Sequence, residues 1–533
     1  MKKTISMVTL CQRTRNAPVL KPLNLLADNK QARLVEQGGR RMPMDLNSVQ
    51  ELISRLPRDL YYGGAFHAPN GGYAETYSPA TGEGLGKSAV ANETDVDLCV
   101  KAAQAAFPAW RDAAPRERAR CLRIFAEALR NSVSEFAYID AMNGGNPVSE
   151  LMSDVQVAAA VCDYYAGLVL EAKGDVLPTE AGVLNYSLRQ PFGVVARIAA
   201  YNHPLLFLAT RLAPAAAVGN TVVLKAPDQA PLSAYRLGQL VTDIFPPGVI
   251  NILTGGAECG KALIAHPLVR RASLVGSTST GVAVLKGAAD KIMPVSLELG
   301  GKNPLIICQD ADLDKAIDGA VMGMNLTWAG QSCGSTSRCL VHRSHYETVV
   351  ERIPQLIKQR HKCGLPTDPQ TTMGCLVSEA QFNKVMRMIQ EAKDDGARLV
   401  CGGERSDNPE LANGWYVEPT VFADVTPKMR LFTEEVFGPV LALTPWDTQE
   451  ESIELANGVE YGLTASIWTQ NLAKAHSYAS QIDAGYIWIN KSSAHFLGAD
   501  FGGYKKSGLG REEGLAELLS FTEAKNVNVV LGE

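Results

Sequence analysis

Apolar residues recur every three or four positions along Val96, Val100, Ala103, Phe107 and Trp110. That step matches a helix with one buried face, and Thr94-Asp95 ahead of it marks the start. A second helix is predicted from Pro115, whose fixed φ suits a first turn, with Leu122, Phe125, Ala126 and Leu129 on one face. Upstream, Pro69-Asn70-Gly71-Gly72 and Pro79-Ala80-Thr81-Gly82 read as turns among short strands.

The pattern changes after about residue 190. Short, nearly all-apolar runs at 194–199, 221–224, 249–253 and 272–275 alternate with helical stretches. Strands that are apolar on both faces belong to parallel sheets covered by helices. A second alternation opens at 304–308 and continues to about 490. At 533 residues the chain is long for a single core. The prediction is an α/β protein of two parallel-sheet domains with a ligand cleft between them. No internal repeat or low-complexity tract interrupts it.

Composition narrows the class. No apolar run approaches the roughly 18 residues of a membrane-spanning helix. A net charge of −5 argues against a general nucleic-acid binder. The 11 cysteines are scattered without a CxxC pair. They read as free thiols in a reducing, cytoplasmic setting, with no disulfide framework and no metal site. Residues 1–41 carry nine Lys or Arg against two acids, Asp28 and Glu36. This arm reads as an organellar transit peptide, as an extension without fixed structure, or as extra residues upstream of a start at Met42 or Met44. It lacks the apolar stretch of a secretory signal.

Three residues carry candidate chemistry. Cys333 sits among small neighbours in Gly330-Gln331-Ser332-Cys333-Gly334, which leave room for a substrate carbon to approach sulfur. To react, it needs a lowered pKa or a nearby base; alone, it reads as a buried structural thiol. Glu298 lies in the apolar run Leu297-Glu298-Leu299-Gly300-Gly301-Lys302. A buried carboxylate there suits general-base work, although a satisfied structural acid fits equally. Asn202, in Ala200-Tyr201-Asn202-His203-Pro204, ends a strand before a helix. Its amide is a candidate oxyanion donor or a helix N-cap.

Other signals fail. Gly255-Gly256-Ala257-Glu258-Cys259-Gly260-Lys261 mimics a phosphate loop, but Ala262 stands where a magnesium-binding hydroxyl belongs. His342 and His345 lack further ligands.

Seven motifs in order, over roughly residues 60–533, resemble the aldehyde dehydrogenase superfamily. They are Tyr201-Asn202-His203-Pro204-Leu205, Leu224-Lys225-Ala226-Pro227-Asp228, Gly276-Ser277-Thr278-Ser279-Thr280-Gly281, Leu297–Lys302, Gly330–Cys333, Glu434-Glu435-Val436-Phe437-Gly438-Pro439 and Phe501-Gly502-Gly503-Tyr504-Lys505-Lys506-Ser507-Gly508. The resemblance implies a Rossmann-like NAD-binding domain (46–170 and 192–298), a catalytic domain (299–518), an oligomerisation arm (171–191 and 519–533) and an N-terminal extension (1–45). It implies a Cys333 thiohemiacetal held by Asn202 and the Cys333 N–H, then a thioester hydrolysed by water that Glu298 activates. Lys225, Asp228, Gly276, Ser277, Gly281, Glu435 and Phe437 become cofactor residues, with NAD favoured over NADP because Asp228 repels a 2′-phosphate. A homodimer or homotetramer is implied, since an uncovered hairpin edge is a liability.

The chain departs from the family pattern at His203, Thr210 and Thr327, where aromatic residues are usual, and at Asp500, where Pro is usual. With His203, Phe207, Trp328 and His495 lining it, the tunnel reads as roomy and polar, suited to a polar, hydroxylated, aromatic or amino-substituted aldehyde. The rivals are a coenzyme A-dependent acyl-transferring relative and a catalytically silent binding relative. Glu298 argues against the first, and the full residue set against the second.

Overall fold

A computed structural model describes residues 44–530. The basic segment 1–41 lies outside the described residues. Residues 44 and 45, assigned above to the extension, are ordered: Asp45 caps helix Leu46–Ser54 by accepting the Ser48 N–H at 2.8 Å.

The predicted stripes form helices Glu93–Arg111 and Pro115–Asn131. Asn92 and Asp95 make a reciprocal capping box at the first. Val96, Val100, Ala103 and Trp110 are buried. Phe107 is only half-buried, with the Arg111 guanidinium 5.7 Å from its ring centre. Helices Val133–Gly144 and Val148–Gly167 extend this layer. Every residue from Phe136 to Gly144 is buried, so that helix shows no one-sided stripe in the sequence.

Five parallel strands make the centre of the first sheet, in the order Ile250–Leu253, Thr221–Lys225, Val194–Ile198, Val269–Val275, Val295–Glu298. The chain enters at the middle strand, winds to one side, then crosses to the other. The switch point therefore lies between Val194–Ile198 and Val269–Val275. Doubly wound sheets bind ligands in the crevice beyond the carboxyl ends at such a point. Asn202 follows one of these two strands, and Gly276-Ser277 follow the other.

The second sheet has six parallel strands: Thr420–Ala423, Val440–Trp446, Arg338–His342, Pro304–Ile307, Thr464–Trp468 and Tyr486–Ile489. Arg398–Cys401 adds an antiparallel edge. Leu305, Ile306 and Ile307 are fully buried, as an all-apolar central strand requires.

One strand crosses the sequence boundary drawn at 298/299. Gly508–Leu509 pairs antiparallel with Leu297 and Glu298 and completes the first sheet. A two-residue strand carries no periodicity that sequence could reveal. Thr522–Val530, Val183–Pro191 and Val176–Leu177 form a separate three-stranded antiparallel sheet, with Val176, Leu177 and Val530 exposed.

Candidate active site

Cys333 lies in a loop held from both sides. Asn303 Nδ2 donates to the Cys333 carbonyl at 2.7 Å and to the Ser335 carbonyl at 2.9 Å, while its Oδ1 accepts the Thr464 N–H. Buried Gln331 braces the other flank, its Oε1 accepting from Val377 N and its Nε2 donating to the Cys375 carbonyl. Gly330 has φ +69°, and a Cβ there would sit 2.1 Å from the Gly438 carbonyl oxygen. Only glycine lets the cysteine loop touch the 434–439 segment.

The thiol is half-buried. Burial pushes its pKa up to about 12, the charges of Glu298, Glu435 and Glu513 push the same way, and Arg211 opposes them. A lowered thiol pKa, one of the two sequence alternatives, is therefore not found. The other alternative, a nearby base, is left to supply the thiolate.

Glu298 ends strand Val295–Glu298, is buried, and neither carboxylate oxygen has a hydrogen-bond partner. Burial raises its pKa well above the carboxylate range, with Glu512 and Glu513 adding and Arg211 and Arg511 opposing. Behind it lies a buried ionic cluster. Arg211 pairs with Glu512, and Arg197 Nη2 is 2.8 Å from Glu517 Oε1. A satisfied structural acid would have found partners in this cluster. Glu298 has not, which favours a chemical role.

Gly300-Gly301 join Glu298 to the other groups. A Cβ on Gly301 would lie 2.9 Å from the Cys333 carbonyl oxygen, and one on Gly300 would lie 2.2 Å from Glu435 Oε2. Glu435 Oε1 accepts the Gly301 N–H at 2.8 Å.

Asn202 is buried and is not the helix cap. The residue at the N-cap of helix Pro204–Ala217 is His203, which makes no side-chain cap. Asp140 Oδ2 reaches in from helix Val133–Gly144 to accept the Leu205 N–H at 3.0 Å. The Asn202 side chain is thereby free for other work, and its carbonyl is held by Asn146 Nδ2 at 2.9 Å. Its neighbours tie three motifs together. The Tyr201 ring meets Phe437 edge-on at 5.9 Å, and the His203 ring lies 4.9 Å from Trp328.

Burial pushes the Asp140 carboxyl up to about 7, with a smaller contribution from Asp154. A group raised from 3.8 to about 7 on folding stabilises the fold fully below the lower value. That contribution is lost as pH rises through the upper one. Asp140→Asn keeps the acceptor and removes the titration. Its loss of stability between about pH 5 and pH 8 should be smaller than the wild type's, on the order of 1–3 kcal/mol. Denaturant midpoints at the two pH values check this; parallel pH dependence would refute it.

Ser277 is exposed and caps helix Thr278–Ala289, its Oγ accepting the Thr280 N–H at 3.2 Å. Gly281, one turn on, packs against Leu299. Lys225 is buried at the end of strand Thr221–Lys225, and Asp228 is exposed with its carboxylate facing Gly256. Phe437 has φ +56°, a strained value for a bulky residue, held by Gln381 Nε2 donating to its carbonyl at 2.7 Å.

The profile of the aldehyde dehydrogenase family matches residues 66–527. The chain belongs to the aldehyde dehydrogenase family. Aldehyde dehydrogenase tropH of Talaromyces stipitatus is 46% identical over 485 residues, 90% of this chain and 94% of that protein. An aldehyde dehydrogenase of Bacillus cereus, solved as its NAD+ complex, superposes with TM-score 0.88 at 38% identity, covering 92% of this chain and 100% of that one. Indole-3-acetaldehyde dehydrogenase AldA of P. syringae, solved with NAD+ and IAA, gives TM-score 0.88 at 34% identity over 91% and 99%. The protein is an NAD-dependent aldehyde dehydrogenase.

The residues present suit NAD. Lys225, the Ser277 helix terminus and the Asp228–Gly256 approach all lie at the carboxyl ends of the parallel strands, where an N-terminal helix dipole favours phosphate. Phe207 and Trp328 lie against His203. His495 is exposed, pairs with Glu513 at 3.1 Å and lies 4.8 Å from the Phe501 ring. Sequence reasoning missed Asn303, Asp140, Asp154, Glu512 and Glu513. Asn303 was within reach, standing directly after the Gly300-Gly301-Lys302 motif. The others contact their partners from distant parts of the chain.

Proposed function

We propose that this aldehyde dehydrogenase works through Cys333, Glu298 and Asn202. The Cys333 thiol adds to the carbonyl carbon as Glu298 takes its proton, and the Asn202 amide and the Cys333 N–H hold the oxyanion. NAD would supply the hydride acceptor, and loss of hydride from the adduct carbon leaves a thioester on Cys333. Glu298, having shed the thiol proton to solvent, takes one from water as the water attacks the thioester. Carboxylic acid and thiol are released. The observation that carries this reading is the buried Glu298 carboxylate, free of partners, whose charge acts on the thiol. The test is product analysis: NADH and free acid should form together without coenzyme A. A requirement for coenzyme A would refute hydrolysis.

Lys225, Asp228, Gly276, Ser277, Gly281, Glu435 and Phe437 hold the cofactor in this reading, with Lys225 and Asp228 at the adenosine ribose and Glu435 at the nicotinamide ribose. Asp228→Ala should raise kcat/KM for NADP relative to NAD by roughly tenfold, since an exposed carboxylate no longer repels the 2′-phosphate. An unchanged ratio would remove Asp228 from this role.

His203, Phe207, Trp328 and His495 line the substrate tunnel. Two imidazoles among aromatic rings favour a polar or aromatic aldehyde, and the structural neighbour AldA is named for an indole aldehyde. The three-stranded arm, with exposed Val176, Leu177 and Val530, favours a homodimer or homotetramer, read by sedimentation. Among the described residues no helix is long and apolar enough to cross a membrane. A cytoplasmic location follows from the free thiols, with an organelle as the outcome if residues 1–41 direct import.

A further inference from the structure

His203 Nδ1 lies 2.7 Å from Asp154 Oδ2. A carboxylate only accepts, so Nδ1 is the donor, and in that tautomer Nε2 is the ring's acceptor. Among the described residues nothing bonds that nitrogen. The ring beside it belongs to Trp328, 4.9 Å away and tilted by 34°. The Trp328 Nε1–H is buried and has no acceptor. An orphaned donor of this kind is destabilising until something fills it. Phe207 closes the third side, 5.4 Å from the imidazole and edge-on.

The pair is placed by the catalytic loops themselves. His203 follows Asn202 directly. Trp328 ends the turn Leu326–Trp328, and its carbonyl accepts the Gln331 N–H just before Cys333. An Asp–His pair that served only to pin the helix start would be redundant, because Asp140 already caps that helix.

One free acceptor and one free donor on two touching rings call for a group that both donates and accepts. A hydroxyl does this: its O–H donates to His203 Nε2 while its oxygen accepts from Trp328 Nε1. An ether lacks the donor. A carboxylate also lacks it and would face Asp154, Asp140 and Glu150, whose charges act around His203. The aromatic walls favour a flat ring. We infer that His203 and Trp328 form a hydroxyl-recognising pair, and that the preferred substrates are aromatic aldehydes bearing a ring hydroxyl. This rests on the aldehyde site proposed above. Asp154 acts through His203 and is a positioning residue.

The test compares kcat/KM for benzaldehyde, its hydroxy isomers, their methyl ethers and carboxybenzaldehyde. At least one hydroxy isomer should exceed both benzaldehyde and its own methyl ether by about tenfold, mostly through KM, as expected where a buried polar site is left unpaired by the analogue. His203→Phe should bring that ratio to within about twofold of unity. Asp154→Asn should lower it while leaving the ring in place. Hydroxybenzoate should compete better than benzoate against the wild type, a readout that needs no variant. Equal use of hydroxylated and plain aldehydes by the wild type would overturn the inference. So would preference for the ether or the carboxylate, or a wild-type ratio in His203→Phe. NADH formed from benzaldehyde reports the aldehyde site separately; if no aldehyde in the panel were oxidised, the underlying site would fall instead.

Discussion

Replacing Cys333 by alanine is expected to lower kcat/KM for aldehyde oxidation by about ten-thousandfold or more, because the covalent step is lost outright. An aldehyde carbon does not surrender hydride until a nucleophile has made it tetrahedral, and no other thiol can substitute. Eight of the other described cysteines are buried, and Cys401 is on Arg398–Cys401, the outermost strand of the second sheet. The cofactor residues named above do not include Cys333, so NAD should still bind, as fluorescence titration would show. NADH production at the wild-type rate would end the proposal for this residue.

Glu298→Gln should cost about a hundred- to a thousandfold in turnover and should change which step is slow. At a pH high enough for the thiol to ionise without its base, hydride transfer would still occur once, giving a burst of NADH. The thioester would then persist, visible as added mass on the intact protein. Two pH effects follow. In the wild type, base function needs the ionised carboxyl, and burial raises the pKa of Glu298. Turnover should therefore climb with pH beyond the ordinary carboxylate range, and the Gln variant should lose this limb. The charge of Glu298 also raises the thiol pKa, so its removal should shift alkylation of Cys333 to lower pH. A variant with no burst and an unchanged alkylation profile would mean that the carboxylate neither hydrolyses the thioester nor senses the thiol.

What the sequence disclosed is what local chemistry writes into it. The stripes of Glu93–Arg111 and Pro115–Asn131 and the apolar runs of both sheets stand at their expected places because periodicity reports burial directly. The family motifs singled out Cys333, Glu298 and Asn202 as candidates. What could not be read depends on contacts distant in sequence. Asn202 looks like a helix cap until Asp140, from another helix, takes the Leu205 N–H. Whether the thiol has a lowered pKa or relies on a base stays open in the sequence until burial and three carboxylates are added. Asp154 lies 49 residues before the histidine it orients.

The edge pairing of Gly508–Leu509 with Leu297 and Glu298 bears on how activity is acquired during synthesis. A ribosome delivers Asn202, Glu298 and Cys333 long before it reaches Gly508, and amino-terminal regions fold first. Until that late segment emerges, the strand ending in Glu298 keeps an open flank, and the Glu512 and Glu517 charges behind it are missing. A nascent chain stalled short of Gly508 would own all three reactive groups yet lack Glu513, whose charge acts on both Glu298 and Cys333, so competence waits for that segment.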